Sequence, residues 1–130
     1  MRFIVVDDEP ACNMISKFTI RRLDKEAQVE VFTNPVDALL YIKTLYLEDN
    51  ECEPSFVLLD INMPYMNGWE FLKETESYGP EVHKYLTIHI VSSSVDANDE
   101  AKAKGCALVK GFISKPIKLE NLKEIVKDSN

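Results

Sequence analysis

Short apolar runs alternate along the chain with longer segments in which apolar residues recur at helical spacing. The runs are rich in β-branched and aromatic residues, and each stops at polar residues. They lie at residues 3–6, 29–32, 56–59, 87–91 and 110–113. The first and third runs are continuously apolar, which is typical of parallel strands covered on both faces. Five strands of a parallel sheet are therefore predicted.

The segments between these runs have helical periodicity. In residues 10–23 the side chains of Met14, Ile15 and Phe18, with Ile20 and Leu23 as further candidates, fall near one face, which is the pattern of a helix with one buried face. Further helices are predicted at residues 35–47, 68–76, 96–104 and from 119 onwards. The strand–helix order repeats five times and favours right-handed crossovers. We therefore predict an α/β fold of three layers, a five-stranded parallel sheet with helices on both faces.

The length and the connections indicate one domain. The chain has 130 residues, the usual size of a single domain, and no repeat or linker-like segment divides it. We expect one domain over residues 1–130 and favour a complete single-domain protein. Residues 48–55 and 77–84 form two long polar connections with Pro or Gly, which predicts surface loops.

The composition narrows the class of protein. Hydrophobic residues make up 45% of the chain, enough for a core without disulfides or a structural metal. Cys12, Cys52 and Cys106 form no CxxC pair, which favours reduced thiols in a cytoplasmic protein. No apolar run approaches the roughly 18 residues of a membrane span. A net charge of −7 argues against direct nucleic-acid binding, for which a basic surface is expected.

Polar groups that could do chemistry follow four of the five predicted strands. Asp7 and Asp8 follow the first strand, Asp60 the third, Ser92 the fourth and Lys115 the fifth. Since ligands bind beyond the carboxyl ends of the strands in a doubly wound sheet, we expect these side chains at one edge. Each group alone has a commoner structural explanation, as a helix-dipole partner, turn, cap or solvated lysine. Their joint arrangement is what indicates a site.

Electrostatics makes this group of side chains more specific. Two carboxylates about 4 Å apart repel each other by on the order of 4 kcal/mol at an effective dielectric near 20. Lys115 can offset part of that repulsion, and a divalent cation can offset the rest. Ligands that are all oxygen favour a hard cation such as Mg²⁺. Such a site suits phosphoryl transfer, in which positive charge stabilises the phosphoryl oxygens.

At these residues the chain resembles the receiver domains of bacterial response regulators over essentially its whole length. The matching positions are the Asp7–Asp8 pair, the VLLDINMP segment around Asp60 with Met66-Asn67-Gly68 after it, Ser92, Lys115-Pro116, and Phe112 at the place of a switch aromatic. The resemblance implies the flavodoxin-like (βα)5 fold and a role in two-component or phosphorelay signalling. Ser92 replaces the commoner threonine, and Phe112 lacks the hydroxyl of the tyrosine form.

The resemblance also implies a phosphodonor and a metal. Asp60 would attack the phosphohistidine of a sensor histidine kinase or a histidine phosphotransfer protein and form an acyl phosphate. Mg²⁺, for which Mn²⁺ may substitute, would be held by Asp8, Asp60 and the backbone carbonyl of Asn62, with Asp7 acting through water.

The remaining roles that the resemblance implies belong to the phosphorylated state. Lys115 would pair with the phosphoryl oxygens, and Ser92 would hydrogen-bond to one of them. The loop after the fourth strand would move and let Phe112 turn inward. The change would be read on the face formed by the fourth helix, fifth strand and fifth helix, by a downstream protein that the sequence does not identify.

We therefore expect a phosphorylation switch rather than an enzyme, one that assists its own phosphorylation and dephosphorylation. One alternative is a metal-dependent phosphohydrolase with an aspartyl-phosphate intermediate, but its best-known family carries a DxDxT nucleophile on the first strand. The other is an interaction module that keeps the fold without phosphorylation. Intact Asp8, Asp60, Ser92 and Lys115 argue against this second alternative.

Overall fold

A five-stranded parallel sheet forms the centre of the molecule. The computed structural model describes residues 1–64, 66–93 and 97–128. The strands are β1 (Arg2–Val6), β2 (Gln28–Phe32), β3 (Ser55–Leu59), β4 (Leu86–Ser92) and β5 (Val109–Ser114). All neighbouring strands are parallel, in the order β2-β1-β3-β4-β5. The predicted sheet is confirmed, and β1 and β3, the two continuously apolar runs, lie next to each other inside it.

Helices connect the strands in the predicted order. They are α1 (Pro10–Leu23), α2 (Pro35–Lys43), α3 (Gly68–Glu76), α4 (Ala97–Lys104) and α5 (Leu119–Asp128). The π-helical segment Thr44–Glu48 continues α2 to about its predicted end. The predicted first residue of α4, Asp96, lies outside the described residues. Within the described part of the chain, no helix has both the length and the apolar character needed to cross a bilayer.

The core has two parts because successive side chains of a strand point to opposite faces of the sheet. Ile4 and Val57 face one side, where they pack with Leu39 of α2 and Phe71 of α3. The other side is covered by α1 and α5. Its cluster includes Phe3, Val5, Phe56, Leu58, Ile20 and Leu122. Both faces of β1 and β3 are therefore covered, which explains why these strands lack polar alternation.

The predicted orientation of α1 is wrong for three of its apolar residues. Met14, Ile15 and Phe18 are 73%, 47% and 68% exposed. The buried positions of this helix belong to three polar residues and one apolar residue, namely Asn13, Ser16, Thr19 and Ile20. Asn13 and Thr19 keep hydrogen-bond partners there, and short side chains allow the helix to approach the sheet closely. Three of the larger apolar side chains of α1 therefore point outward, whereas Ile20 is fully buried and Leu23 packs partly against the core.

The connection at residues 77–84 is also more ordered than predicted. It contains the helical turn Pro80–His83, and Val82 within it is fully buried. The His83 ring nitrogen Nε2 lies 3.1 Å from the carbonyl oxygen of Thr75 and 3.0 Å from that of Glu76. The buried Val82 side chain makes the turn part of the core, and the turn packs against the end of α3 and against β4.

Candidate functional site

The two central strands place two carboxylates side by side at the carboxyl edge of the sheet. Asp7 follows β1 and Asp60 follows β3, and the last residues of these strands, Val6 and Leu59, are paired in register. The Asp60 backbone N–H donates to the Val6 carbonyl at 3.0 Å, which extends the ladder to the site itself. Asp7 and Asp60 are only 5% and 4% exposed. Carboxylate oxygens of Asp7, Asp8 and Asp60 all lie within 4.8 Å of one another.

Lys115 comes to the same place from the end of β5. Its Nζ lies 2.7 Å from Asp7 Oδ2 and donates to Asp60 Oδ2 at 3.2 Å. Its backbone N–H donates to the Ser92 carbonyl at 3.0 Å, which carries the β4–β5 pairing to the site. Burial opposes the charge of Lys115, but the two ion pairs outweigh it and raise the pKa of the ammonium group. Three carboxylates still face one ammonium, so the site keeps an excess of negative charge.

Asp60 is held in one orientation. Its Oδ1 accepts a hydrogen bond from the backbone N–H of Asn62 at 2.9 Å, while Oδ2 accepts from Lys115. Burial raises the pKa of the Asp60 carboxyl, although the Asn62 N–H and the Lys115 charge oppose this shift. Both oxygens are thus positioned, and burial makes the carboxylate a better partner for a positive charge.

Ser92 and Phe112 lie on the neighbouring strands. Ser92 ends β4 and is 1% exposed, and its Oγ accepts a hydrogen bond from Asn62 Nδ2 at 3.4 Å. Phe112 pairs with Ile90 across the β4–β5 ladder, two residues before Ser114, which pairs with Ser92. Its half-buried ring packs against the core cluster on the α2–α3 side. The Ser92 hydroxyl therefore lies at the carboxyl edge of the sheet, and Phe112 lies two residues further from that edge on β5.

The donor set fits a hard divalent cation. Asp7, Asp8 and Asp60 form a group made of carboxylates alone, two buried and one half-buried. Oxygen donors of this kind, partly open to water, suit Mg²⁺. Asp7, Glu9 and the Cys12 thiol form a second group of possible metal ligands, which shares Asp7 with the first but includes a sulfur atom. The backbone carbonyl of Asn62 remains a prediction as a further ligand.

Two residues support the site in ways that the sequence analysis did not predict. Asn13 is 3% exposed, and its Nδ2 donates to the Asp7 carbonyl at 2.9 Å and to the Phe32 carbonyl at 3.4 Å. It ties the loop after β1 to α1 and β2. An amide side chain among apolar residues of a helix is a sequence feature that could have indicated this role. It was missed because the buried face of the helix was assigned to the neighbouring apolar residues.

Gly68 is the second of these residues. It stands at the start of α3, where its N–H donates to the Ile61 carbonyl at 3.1 Å. A Cβ atom at this position would lie 2.6 Å from the Ile61 Cα and 3.0 Å from the Asp60 carbonyl oxygen. Only glycine lets the helix start so close to the segment that carries Asp60.

Comparison with known proteins agrees with this geometry. The family model described as the response regulator receiver domain matches residues 3–127. The crystal structure of a two-component response regulator from Cytophaga hutchinsonii is 26% identical, with a TM-score of 0.87 over 98% of this chain and 94% of that one. The Vibrio cholerae chemotaxis protein CheY4 is 20% identical, with a TM-score of 0.74 over 98% of this chain and 96% of that one, which is a likeness of fold.

A curated relative is much longer than this chain. The protein-glutamate methylesterase/protein-glutamine glutaminase 3 of Burkholderia thailandensis is 28% identical over 117 residues. The match covers 89% of this chain but 29% of that protein. The similarity is therefore to one part of the relative, and the activities in its name describe the whole relative.

Proposed function

The chain belongs to the response regulator receiver domain family of two-component signalling, and on that premise we propose that Asp60 is its phosphoacceptor. The observation that carries the proposal is the buried Asp60 carboxylate, with one oxygen on the Asn62 N–H and the other on Lys115. Two further carboxylates stand within 4.8 Å of it. This combination of a fixed nucleophile, an ammonium group and an oxygen donor set is what phosphoryl transfer requires.

The transfer step uses groups that already lie together. One carboxylate oxygen of Asp60 forms a bond to phosphorus while the phosphorus–nitrogen bond of a phosphohistidine breaks, and the released imidazole nitrogen keeps the electron pair. Lys115 exchanges its pairing with Asp60 for the phosphoryl oxygens, and Ser92 donates its hydroxyl to one of them. Bound Mg²⁺, or Mn²⁺ in its place, would supply further positive charge to these oxygens. Asp8, Asp60 and the Asn62 carbonyl would hold it, with Asp7 acting through water.

The phosphorylated state differs by its charge and by the contact to Ser92. Because Ser92 ends β4, drawing its hydroxyl toward the phosphoryl group moves the loop that leads to α4. Phe112 lies two residues before the partner of Ser92 on β5, where its half-buried ring can turn further inward. The readout is then a rearranged surface of α4, β5 and α5, a two-state change biased by added negative charge.

A protein that delivers a phosphoryl group to Asp60 would lie beside α1, because α1 residues line the cavity that borders Asp60. We name the residues Met14, Ile15 and Phe18 the α1 apolar face. Ile15 also lines the cavity that borders Asp60 and Lys115, so the face continues into the site. Exposed apolar side chains of this size indicate a protein interface. The proposed occupant of the α1 apolar face is the protein that carries the phosphohistidine, a sensor histidine kinase or a histidine phosphotransfer protein.

A small phosphodonor tests the proposal without the protein partner. With acetyl phosphate and Mg²⁺, intact-mass measurement should find one added phosphoryl group on the wild type and none on Asp60→Asn. Asp37→Asn, at an exposed aspartate of α2, is the matched control and should react like the wild type. Labelling of Asp60→Asn at the wild-type rate would show that another residue accepts the phosphoryl group.

A further inference from the structure

A cavity of about 270 Å³ lies under the first half of α1, on the side of the sheet that carries Asp60. Most of its wall is apolar and comes from strand ends, α1 and the segment after β5. The apolar lining includes Val5, Leu58, Val91, Ile15, Pro116 and Ile117. Asp7, Asp60 and Lys115 close one end. The apolar part of the cavity thus extends to the Asp60 carboxylate.

Ser16 explains why the space exists. It is 8% exposed on the buried face of α1 and lines the cavity. Protein interiors pack densely, and a serine here fills much less volume than the leucine or isoleucine usual at such a position. Among the described residues, no group forms a hydrogen bond with the Ser16 hydroxyl. A hydroxyl at the cavity wall can pair with water or with a ligand that replaces the water.

The charges at the closed end limit what can bind. Lys115 Nζ is paired with Asp7 at 2.7 Å and with Asp60 at 3.2 Å. An anionic ligand would meet the excess negative charge of the three carboxylates, and a cationic ligand would compete with a metal ion for them, whereas a neutral ligand would do neither. A cavity of about 150 Å³ is known to hold a benzene molecule, so the present volume suits one or two rings.

We propose that this cavity binds a neutral molecule of one or two rings with a hydroxyl group, and that the bound molecule slows phosphorylation of Asp60. The hydroxyl pairs with Ser16, and the rings lie against the apolar wall. The ligand then borders Lys115 and prevents its exchange from the carboxylates to a phosphoryl group. This second part rests on the proposed phosphoacceptor function, while binding itself does not.

Binding is tested with 2-naphthol as the probe on the unmodified protein. Calorimetry should give saturable binding at one site. Cys12 lines the cavity, whereas Cys52 is exposed in a distant loop, so the two thiols form an internal comparison. At about ten times the dissociation constant, labelling of Cys12 by N-ethylmaleimide should slow about tenfold. Labelling of Cys52 should keep its rate. Equal protection of both thiols, or no saturable binding, overturns the proposal.

Variants of α1 locate the probe. Ser16→Leu places a larger apolar side chain in the cavity and removes the hydroxyl, and should weaken both binding and Cys12 protection more than tenfold. Ser16→Ala keeps the cavity but loses the hydrogen bond, and should weaken binding roughly fivefold. Thr19→Val, on the same buried face but outside the cavity, should bind like the wild type, and circular dichroism checks that each variant is folded. Wild-type affinity in Ser16→Leu places 2-naphthol elsewhere and contradicts the proposal.

The regulatory part is tested by phosphorylation with acetyl phosphate and Mg²⁺. Saturating 2-naphthol should slow labelling of the wild type and leave Ser16→Leu unaffected. An unchanged rate in wild type that has bound the probe overturns the regulatory part. Absence of labelling even without the probe contradicts the phosphoacceptor function, and with it the regulatory part, whereas the calorimetric result is judged separately.

Discussion

Burial and charge act in opposite directions on Asp60. Its carboxylate is 4% exposed and lies beside Asp7, yet it keeps hydrogen bonds from the Asn62 N–H and from Lys115. Burial wins this competition and raises the carboxyl pKa. The ionised side chain is therefore less well solvated in the folded protein than in the unfolded chain. A reactive carboxylate of this kind is kept at a cost in stability.

Removal of this charge should stabilise the protein. Because the folded-state pKa of Asp60 is raised, its stabilising contribution is lost as pH rises through that pKa, and at neutral pH the ionised group is unfavourable. We expect Asp60→Asn to raise the free energy of unfolding by roughly 1 kcal/mol, or Tm by about 3 °C. Lys115 keeps its partner Asp7 in this variant. Thermal unfolding without Mg²⁺ measures the change, with Asp37→Asn as the control. A lower Tm for Asp60→Asn would show that the Lys115–Asp60 pair outweighs burial.

The same pKa shift predicts how Mg²⁺ binding depends on pH. A metal ion held by Asp60 would bind the ionised carboxylate, so protons would compete with it, and the raised pKa of Asp60 would start this competition at a higher pH than for an ordinary aspartate. As pH is lowered from neutral toward about 4, the ordinary aspartate range, we expect the Mg²⁺ affinity to begin to fall above that range. Trp69 fluorescence can follow the titration, because Trp69 follows Gly68, which borders the Asp60 carbonyl. Affinity that stays constant over this range would contradict the ligand role of Asp60.

The residues at strand ends could be predicted from the sequence, and the residues that orient them could not. Asp7, Asp60, Ser92 and Lys115 each follow a recognisable strand, so the sheet alone brings them to one edge. Asn13 acts from a helix, through hydrogen bonds to the carbonyl groups of Asp7 in the preceding loop and of Phe32 on β2. Such contacts depend on the rotation of α1, which hydrophobic periodicity does not determine when the buried side chains are polar.

At the scale of elements, the positions of the strands and helices were predicted, but the buried face of α1 was not. The sheet covers the apolar runs of β1 and β3 on both faces, so any correct assignment buries them. A helix on the surface buries one face, and for α1 that face carries Asn13, Ser16 and Thr19. Close contact with the sheet and hydrogen bonding decided its orientation. The inward face is underpacked over the cavity, and the outward face is apolar.

The α1 apolar face gives a prediction that separates donor recognition from chemistry. Phe18 is 68% exposed, so Phe18→Ser should change stability by less than about 1 kcal/mol. Phosphorylation by a histidine phosphodonor protein should slow roughly tenfold or more, as for loss of an interface anchor. The rate with acetyl phosphate should stay unchanged, because no protein contact is involved. Leu40→Ser, at a similarly exposed position on α2, is the matched control. Equal rates with the protein donor would place its docking surface elsewhere.

At the scale of the molecule, the sheet connects the candidate site at its carboxyl edge with the surface formed by α4, β5 and α5. Asp7 and Asp60 follow the central strands, whereas Ser92 and Lys115 follow β4 and β5, which lead into α4 and α5. Phosphorylation at the proposed acceptor Asp60 would therefore add charge where four chain segments meet. Strands β4 and β5 are coupled by the Lys115–Ser92 backbone hydrogen bond, so a shift of one displaces the other.

Removal of the Ser92 hydroxyl should uncouple the chemistry from the change in surface. Ser92→Ala keeps Asp60, Lys115 and the carboxylate group, so beryllofluoride with Mg²⁺ should still bind. In the wild type it should alter amide hydrogen exchange in α4 and β5, because a hydrogen bond to Ser92 draws in the end of β4. In Ser92→Ala this change should be largely lost, whereas Ser92→Thr should retain it, since the hydroxyl is kept. Equal changes in wild type and Ser92→Ala would mean that Lys115 alone transmits the signal from the phosphorylated site.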